Sequence, residues 1–432
     1  MNDKDQNTQK KANISGEKRN KNDELVIEIR KIFGRPEIQS STQCLICKVP
    51  RHIRKWKEEA YTPQVVSIGP IHHKNKRLKA MEEYKERYFK SFVQKNGMDL
   101  EFLVGIIRKM EESIRGCYAE TIDLPSDKFV KMILVDASFI LELFFRSRSG
   151  SWTNHDPIFF RSSYSWADAV RLDLVLLENQ LPFFVIQKLY HLAFPPPSDY
   201  DYNLFRLSYD YFKCFKMKSA HAHPKVKIEH FTDLLRTFQI PPLEKQPERV
   251  HQQKDLLYTA TQLHEAGVKF EVVTSECRFD IKFEKGVLKI PQLLLDDWTE
   301  VVTRNIMALE QICYKEDTYF TDYFFLMDSL INTRKDVDFL CEKKILVNYL
   351  GDNNASISMI NNLNKGITFV AVRDDYIDLY NKLNGFYENR WHKWKAILKH
   401  EYFSTPWRGA STVAAIILLV LTFIQTACSI FK

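Results

Sequence analysis

The sequence predicts a mainly α fold: a large helical domain with a small antiparallel β element and one C-terminal transmembrane helix. Three observations lead there. Only 13 glycines occur in 432 residues, about 3% where roughly 7% is usual, so a helix-rich chain without glycine-rich phosphate loops is the natural reading. Apolar residues recur at helical spacing along most of the chain and alternate with period two only near residues 268–292. An uncharged run then closes the sequence. Hydrophobic residues at 45% and charged residues at 27% sit near globular averages, which excludes wholesale disorder and a multi-span transporter.

Residues 1–40 are polar and aperiodic and are expected to form a disordered tail ahead of a domain over 41–405. The start of the tail holds no apolar run that could act as a secretion signal. From Asn75, the positions Leu78, Met81, Tyr84 and Tyr88 define an amphipathic helix, with Glu83 and Arg87 four apart on its wet side. Further helices are expected at Leu100–Ile114, Phe129–Phe145 and Trp166–Asn179, the last stopped by Pro182, which can open the next helix to Tyr190. Loops at about 147–163, 195–225 and 242–256 collect the Ser, Pro and His clusters.

Gly267 can cap a helix, and beyond it Phe270 and Val272, then Phe279, Ile281 and Phe283, a turn at Glu284–Gly286, and Leu288 and Ile290 follow period two. Asp297 with Glu300 reads as a capping box for a helix whose core face is Trp298, Val301, Val302, Leu309 and Ile312. Asp296 and Asp336 read as caps or first-turn acids matching the helix dipole. A last helix from Asp375 to about Phe403 carries Tyr380, Leu383, Tyr387, Trp391, Trp394, Leu398 and Tyr402, and Pro406 separates it from the final run.

That run, Gly409–Phe431, would span about 34 Å as a helix, against about 30 Å of hydrocarbon. Trp407 and Arg408 before it and Lys432 after it resemble the flanks of a spanning helix. Arg390, Lys393, Lys395, Lys399 and Arg408 precede it, so the positive-inside rule places the N-terminal body in the cytosol, as in a tail-anchored protein. Thr422, Gln425, Thr426 and Ser429 make it less oily than an ideal span.

The formal charge of +7 is concentrated. Between Lys48 and Lys109 there are 15 Lys and Arg against 7 acids. Aromatics do not interleave with these charges in a nucleic-acid-binding pattern, and nucleic acid is not an expected partner. Arg51, Arg54, Lys55 and Lys57 crowd within seven residues and cannot all be buried, which makes them the candidate contact for an acidic partner or anionic lipid.

Eight scattered cysteines form no disulfide framework and read as reduced thiols. Cys44 and Cys47 have the spacing of half a zinc site, without a second ligand pair at a usual distance. His72 and His73 are adjacent, so their side chains diverge, and His221 and His223 lie in a proline-flanked loop. Phosphate-loop, serine-elbow, zinc-protease and dinucleotide fingerprints are absent from the sequence, and no metal or cofactor is expected.

Two carboxylates stand in apolar surroundings: Asp136 within LVDASFILELFF, and Glu178 beside Asn179 in DLVLLENQLPFF. A buried carboxylate needs a partner or a raised pKa. A general acid–base pair of a hydrolase is one reading. The other is structural: Asp136 paired with a buried Arg or backbone amides, and Glu178 with Asn179 closing a helix end ahead of Pro182.

The segments VPRHIRKWKEEAYTPQVVSIGPIHH, LVDASFILELF, LLENQLPFFVI, IPQLLLDDWTEVVTRNIMALEQ and LINTRKDVDFLCEKKILVNYLGDN, with the closing WHKWKAILKHEYFSTPW, resemble the blocks of the plant family called domain of unknown function 247. The resemblance runs from about Cys44 to Phe431; Ile71 departs from it, standing where members commonly carry an aromatic. It implies a plant origin and membrane association, with the plasma membrane as the location. It implies no catalytic residues, since the family has no established activity, although some grass relatives are implicated in self-incompatibility. The expected role is an interaction or signalling protein held at a membrane, with a carboxylate hydrolase as the alternative.

Overall fold

The computed structural model describes residues 26, 30, 46–153, 156, 166–194, 200–215, 226–242, 247–250, 255–275, 277–368, 372–389 and 406–430. The chain divides into two compact units, Met1–Gln43 and Cys44–Lys432. Of the first, only Val26 and Arg30 are described, both helical and exposed. The rest of the expected tail over 1–40, Cys44, His221, His223, and Trp391 through Tyr402 of the last expected helix lie outside the described residues.

In the second unit the order is α1 (Arg51–Arg54), α2 (Ala80–Lys95), α3 (Leu100–Gly116), α4 (Ser126–Ser149), α5 (Trp166–Asp173), α6 (Phe183–Ala193), α7 (Tyr200–Phe212) and α8 (Phe231–Thr237). Strand β1 (Arg249–Val250), α9 (Ala260–Glu265) and strands β2 (Lys269–Val273), β3 (Lys282–Glu284), β4 (Val287–Pro291) and β5 (Leu293–Leu295) follow. Then come α10 (Thr299–Cys313), α11 (Tyr319–Leu330), α12 (Arg334–Glu342), β6 (Leu346–Asn348), α13 (Asn353–Leu363), β7 (Val372–Arg373), α14 (Asp374–Glu388) and α15 (Pro406–Ile430).

Helix α4 is the hub of the N-terminal half. Pro125 precedes it and Gly150, at φ +65°, ends it in the left-handed conformation that glycine adopts without strain. Its apolar residues surround the axis, so α2, α3, α6 and α7 all pack against it. Phe139, Ile140 and Leu141 are each fully buried. Such a helix also buries whatever polar residues it carries, here Asp136, Glu142 and Arg146.

The C-terminal half packs α10 against α8, α11 and α13, and α12 against α9 and α13. Its three-stranded sheet has the order β2-β4-β3. The antiparallel element expected near 268–292 is corrected to a mixed sheet. Only β3 pairs antiparallel with β4, across a turn in which Lys285 and Gly286 take positive φ; β2 pairs parallel with β4, Lys269 opposite Val287. A parallel pairing needs a crossover and leaves no local turn signal.

Two helix boundaries also differ. The helix expected over Trp166–Asn179 ends at Asp173, because side-chain amides of Asn179 and Gln180 take over the carbonyls of Asp173, Leu174 and Leu176. At α10 the capping acid is Asp296 rather than Asp297: its Oδ1 accepts from the Thr299 amide at 3.0 Å and from the Thr299 hydroxyl at 2.7 Å.

The C-terminal span is the largest correction. Pro406–Ile430 is a helix of 25 residues, yet no helix among the described residues is long and apolar enough to cross a membrane. Ser411, Thr412, Thr422, Gln425, Thr426 and Ser429 dilute the run. The hydroxyls of Thr422 and Thr426 donate to the carbonyls of Leu418 and Thr422. A tail anchor, and the orientation argued from its basic flank, are therefore unsupported.

Candidate functional site

Residues 174–181 leave helical geometry and form a buried polar knot that fixes the segment 46–72. Asp173, at the end of α5, accepts the amides of Gln64, Val65 and Val66 at 2.6–2.8 Å. Burial pushes its carboxyl up to about 7 against the pull of those amides. Asn179 accepts from the Ile68 amide at 2.7 Å and donates to the Val66 carbonyl. From α10, Asn305 accepts the Leu177 amide and donates to the Ala60 carbonyl.

Glu178 is 1% exposed. Its Oε1 accepts from the Val49 amide at 2.9 Å and from Arg54 Nη1 at 2.5 Å, and its Oε2 lies 3.0 Å from His72 Nε2. Burial acts to raise its pKa, but these hydrogen bonds together hold the carboxyl below its ordinary value.

Asp136 on α4 is also 1% exposed. Lys85 of α2, fully buried, donates to Asp136 Oδ1 at 2.6 Å and to the Ser67 carbonyl at 2.8 Å, and the Gly69 amide donates to Asp136 Oδ2. Burial pushes the Asp136 carboxyl above its ordinary range against the pull of Lys85. Burial alone would lower Lys85, but Asp136 and Glu82 hold it raised. Gly69 makes this closure possible: it sits at φ +71°, and a Cβ there would lie 2.6 Å from the Gln180 carbonyl oxygen.

Asp136, Glu178 and Asn179 thus each fasten the 46–72 segment to the helical core, with their polar atoms engaged by protein groups. Of the four basic residues singled out in that segment, Arg54 is turned inward onto Glu178 and Thr62, and Lys57 pairs with Glu300 of α10 at 2.7 Å. Arg51 and Lys55 are exposed and carry no carboxylate partner among the described residues.

Trp56, 46% exposed, completes a surface site around them. Lys55 Nζ lies 5.1 Å from its ring centroid and Lys365 Nζ lies 5.0 Å from it. Lys365 reaches it because Gly366, at φ +81°, lets its loop press on α1: a Cβ at Gly366 would be 2.5 Å from the His52 carbonyl oxygen. The site is an aromatic face between two lysines with Arg51 beside it on the same short segment, which suits acidic groups carried by a flexible chain. Sequence reasoning missed Trp56 and Lys365. The indole stands in the basic run RHIRKWK, a usable signal; Lys365 is remote in sequence and carries none.

No group of three or more His, Cys, Asp or Glu side chains among the described residues could hold a metal ion. His72 is bound to Glu178, and burial pushes the Cys47 thiol up to about 12.

A family profile described as plant protein of unknown function matches residues 46–421. A UPF0481 protein of Arabidopsis thaliana is 28% identical over 428 residues, covering 92% of this chain and 88% of the relative. A putative UPF0481 protein of the same plant is 22% identical over 492 residues, covering 90% of each. No solved structure matches the chain. With the profile spanning the knot, the helical core and the small sheets alike, the chain belongs to the plant family of unknown function called domain of unknown function 247.

Proposed function

We propose that this protein works as a binding module whose contact site is the surface formed by Arg51, Lys55, Trp56 and Lys365, and that it takes an acidic segment of a partner protein. The observation that carries the reading is the placement of Trp56 between two lysines that have no carboxylate partner among the described residues. Exposed aromatic and arginine side chains are the usual energetic anchors of protein contacts. The ordered knot beneath them holds the segment in one conformation, which lowers the ordering cost of binding. Glu58 and Glu59, exposed on the next turn, bound the site and disfavour an acidic chain running past it.

The test uses the full chain and a fluorescein-labelled peptide rich in Glu and Asp. Binding should weaken as salt rises, and Arg51→Glu with Lys55→Glu and Lys365→Glu should weaken it by about tenfold or more, at roughly 0.2–1 kcal/mol for each exposed charge. Trp56→Ala should weaken it at unchanged charge. Binding indifferent to both variants would overturn the reading, as would purified protein that turns over a metabolite and loses that activity on Asp136→Asn or Glu178→Gln.

A further inference from the structure

Toward the C-terminal end of α4 lies a concavity of about 430 Å³, whose lining includes Phe144, Arg148, Arg171, Tyr211, Lys213 and Cys214. That volume falls within the range of small-molecule sites. We propose that it binds a phosphate monoester, with the phosphate held by Arg148, Arg171 and Lys213.

The floor is apolar and rigid. Phe144 of α4 and Tyr211 of α7 stack with ring centroids 4.3 Å apart, and both are buried. Arg171 of α5 lies over the Tyr211 ring at 5.3 Å. Asp168 engages only one arm of its guanidinium, at 2.5 Å to Nη1. Its Nε–H is buried and has no hydrogen-bond partner among the described residues. A buried donor without an acceptor is costly, and a shift of the Arg171 side chain toward an incoming oxyanion would relieve it.

At the rim, Arg148 and Lys213 are exposed, and neither has a carboxylate partner among the described residues. The one acid in the lining, Asp210, is bound to Arg206 at 3.2 Å. Arg148 and Lys213 therefore bring uncompensated charge to the opening, beside Arg171, whose charge is shared with Asp168. A phosphate monoester supplies a charge of about −1.5 to −2 and three acceptor oxygens, enough to meet all three. A carboxylate offers one charge and two oxygens. The space beyond the phosphate, bounded by Phe144 and Cys214, suits the organic part of the ester.

Binding is read by titration calorimetry on the full chain with inorganic phosphate, glucose 6-phosphate and glucose, and with phosphatidylcholine vesicles with and without phosphatidylinositol 4-phosphate. Phosphate should bind weakly, glucose 6-phosphate more tightly, and glucose not at all. Heat with the doped vesicles alone would assign the same phosphate chemistry to a lipid headgroup. Arg148→Gln with Lys213→Gln, both at exposed positions, should lower the affinity at least tenfold with unchanged melting. Lys109→Gln with Lys128→Gln, neither of which lines the concavity, should not. Equal responses to glucose and glucose 6-phosphate, no binding in any arm, or equal losses in the two double variants would each overturn the proposal.

Discussion

Arg54 and Glu178, 124 residues apart in sequence, meet through a 2.5 Å contact between Nη1 and Oε1. The contact ties the one-turn helix α1 to the irregular segment 174–181. Glu178 has three donors on it and Arg54 remains a quarter exposed, so the carboxylate loses more than the guanidinium when the pair is broken.

Glu178→Ala should destabilise the fold by about 3 kcal/mol or more, since it strands the Val49 amide and His72 beneath the surface. Arg54→Ala should cost less, because water can reach its side of the pair. Thermal melting of the two variants checks the order, and a larger loss for Arg54→Ala would show the contact to be organised differently.

The Lys85–Asp136 pair should behave as a unit. Asp136→Ala leaves a buried ammonium, and Lys85→Met leaves a buried carboxylate, each costing on the order of 3–5 kcal/mol. Lys85→Met combined with Asp136→Leu should be less damaging than the sum of the singles by at least 1 kcal/mol. Urea unfolding of the four proteins closes the cycle. Additive losses would mean that the two charges do not stabilise each other.

Gly69→Ala places a Cβ 2.6 Å from the Gln180 carbonyl oxygen, at φ +71°. Backbone oxygen cannot swing aside, so the loop must shift and the Gly69 amide must leave Asp136. A loss of about 2 kcal/mol or more is expected. Gly97→Ala, also at positive φ but with open space around its Cβ position, should cost only the conformational penalty of about 1 kcal/mol. Equal chemical denaturation midpoints for the two variants would remove the steric argument.

Asp173 and Asp322 both have carboxyls pushed up to about 7, chiefly by burial. Their folded values exceed the unfolded value of 3.8, so the folded state holds protons that the unfolded chain has released. Their stabilising contribution is full below about pH 4 and declines as pH rises through about 7. For one such group the change is on the order of 4 kcal/mol. Glu178, held low, acts in the opposite sense and loses its contribution as pH falls. Asp173→Asn should flatten the decline between pH 4 and 7 in equilibrium unfolding. An unaltered slope would place the titration elsewhere.

The sequence by itself determined the helical character, the positions of most helices, and which polar residues would stand in apolar company. Period-3.6 patterning reports burial one element at a time, and Asp136 and Glu178 stood out because their neighbours are apolar. The family was also legible, since its blocks are local strings. Tertiary structure decided what those residues do. Lys85 reads as one more surface lysine on α2, and only the approach of α4 turns it into the counter-ion of Asp136. Arg54 and Lys57 read as free surface charge until Glu178 and Glu300 arrive from distant segments. The LENQL stretch carries a helical pattern, yet side-chain amides of Asn179 and Gln180 displace its backbone bonds. The parallel pairing of β2 with β4, and the meeting of Lys365 with Trp56, likewise depend on long-range approach. Hydrogen bonds and ion pairs between remote segments are set by how packed elements arrive at one another, and local sequence patterns carry no record of that arrival.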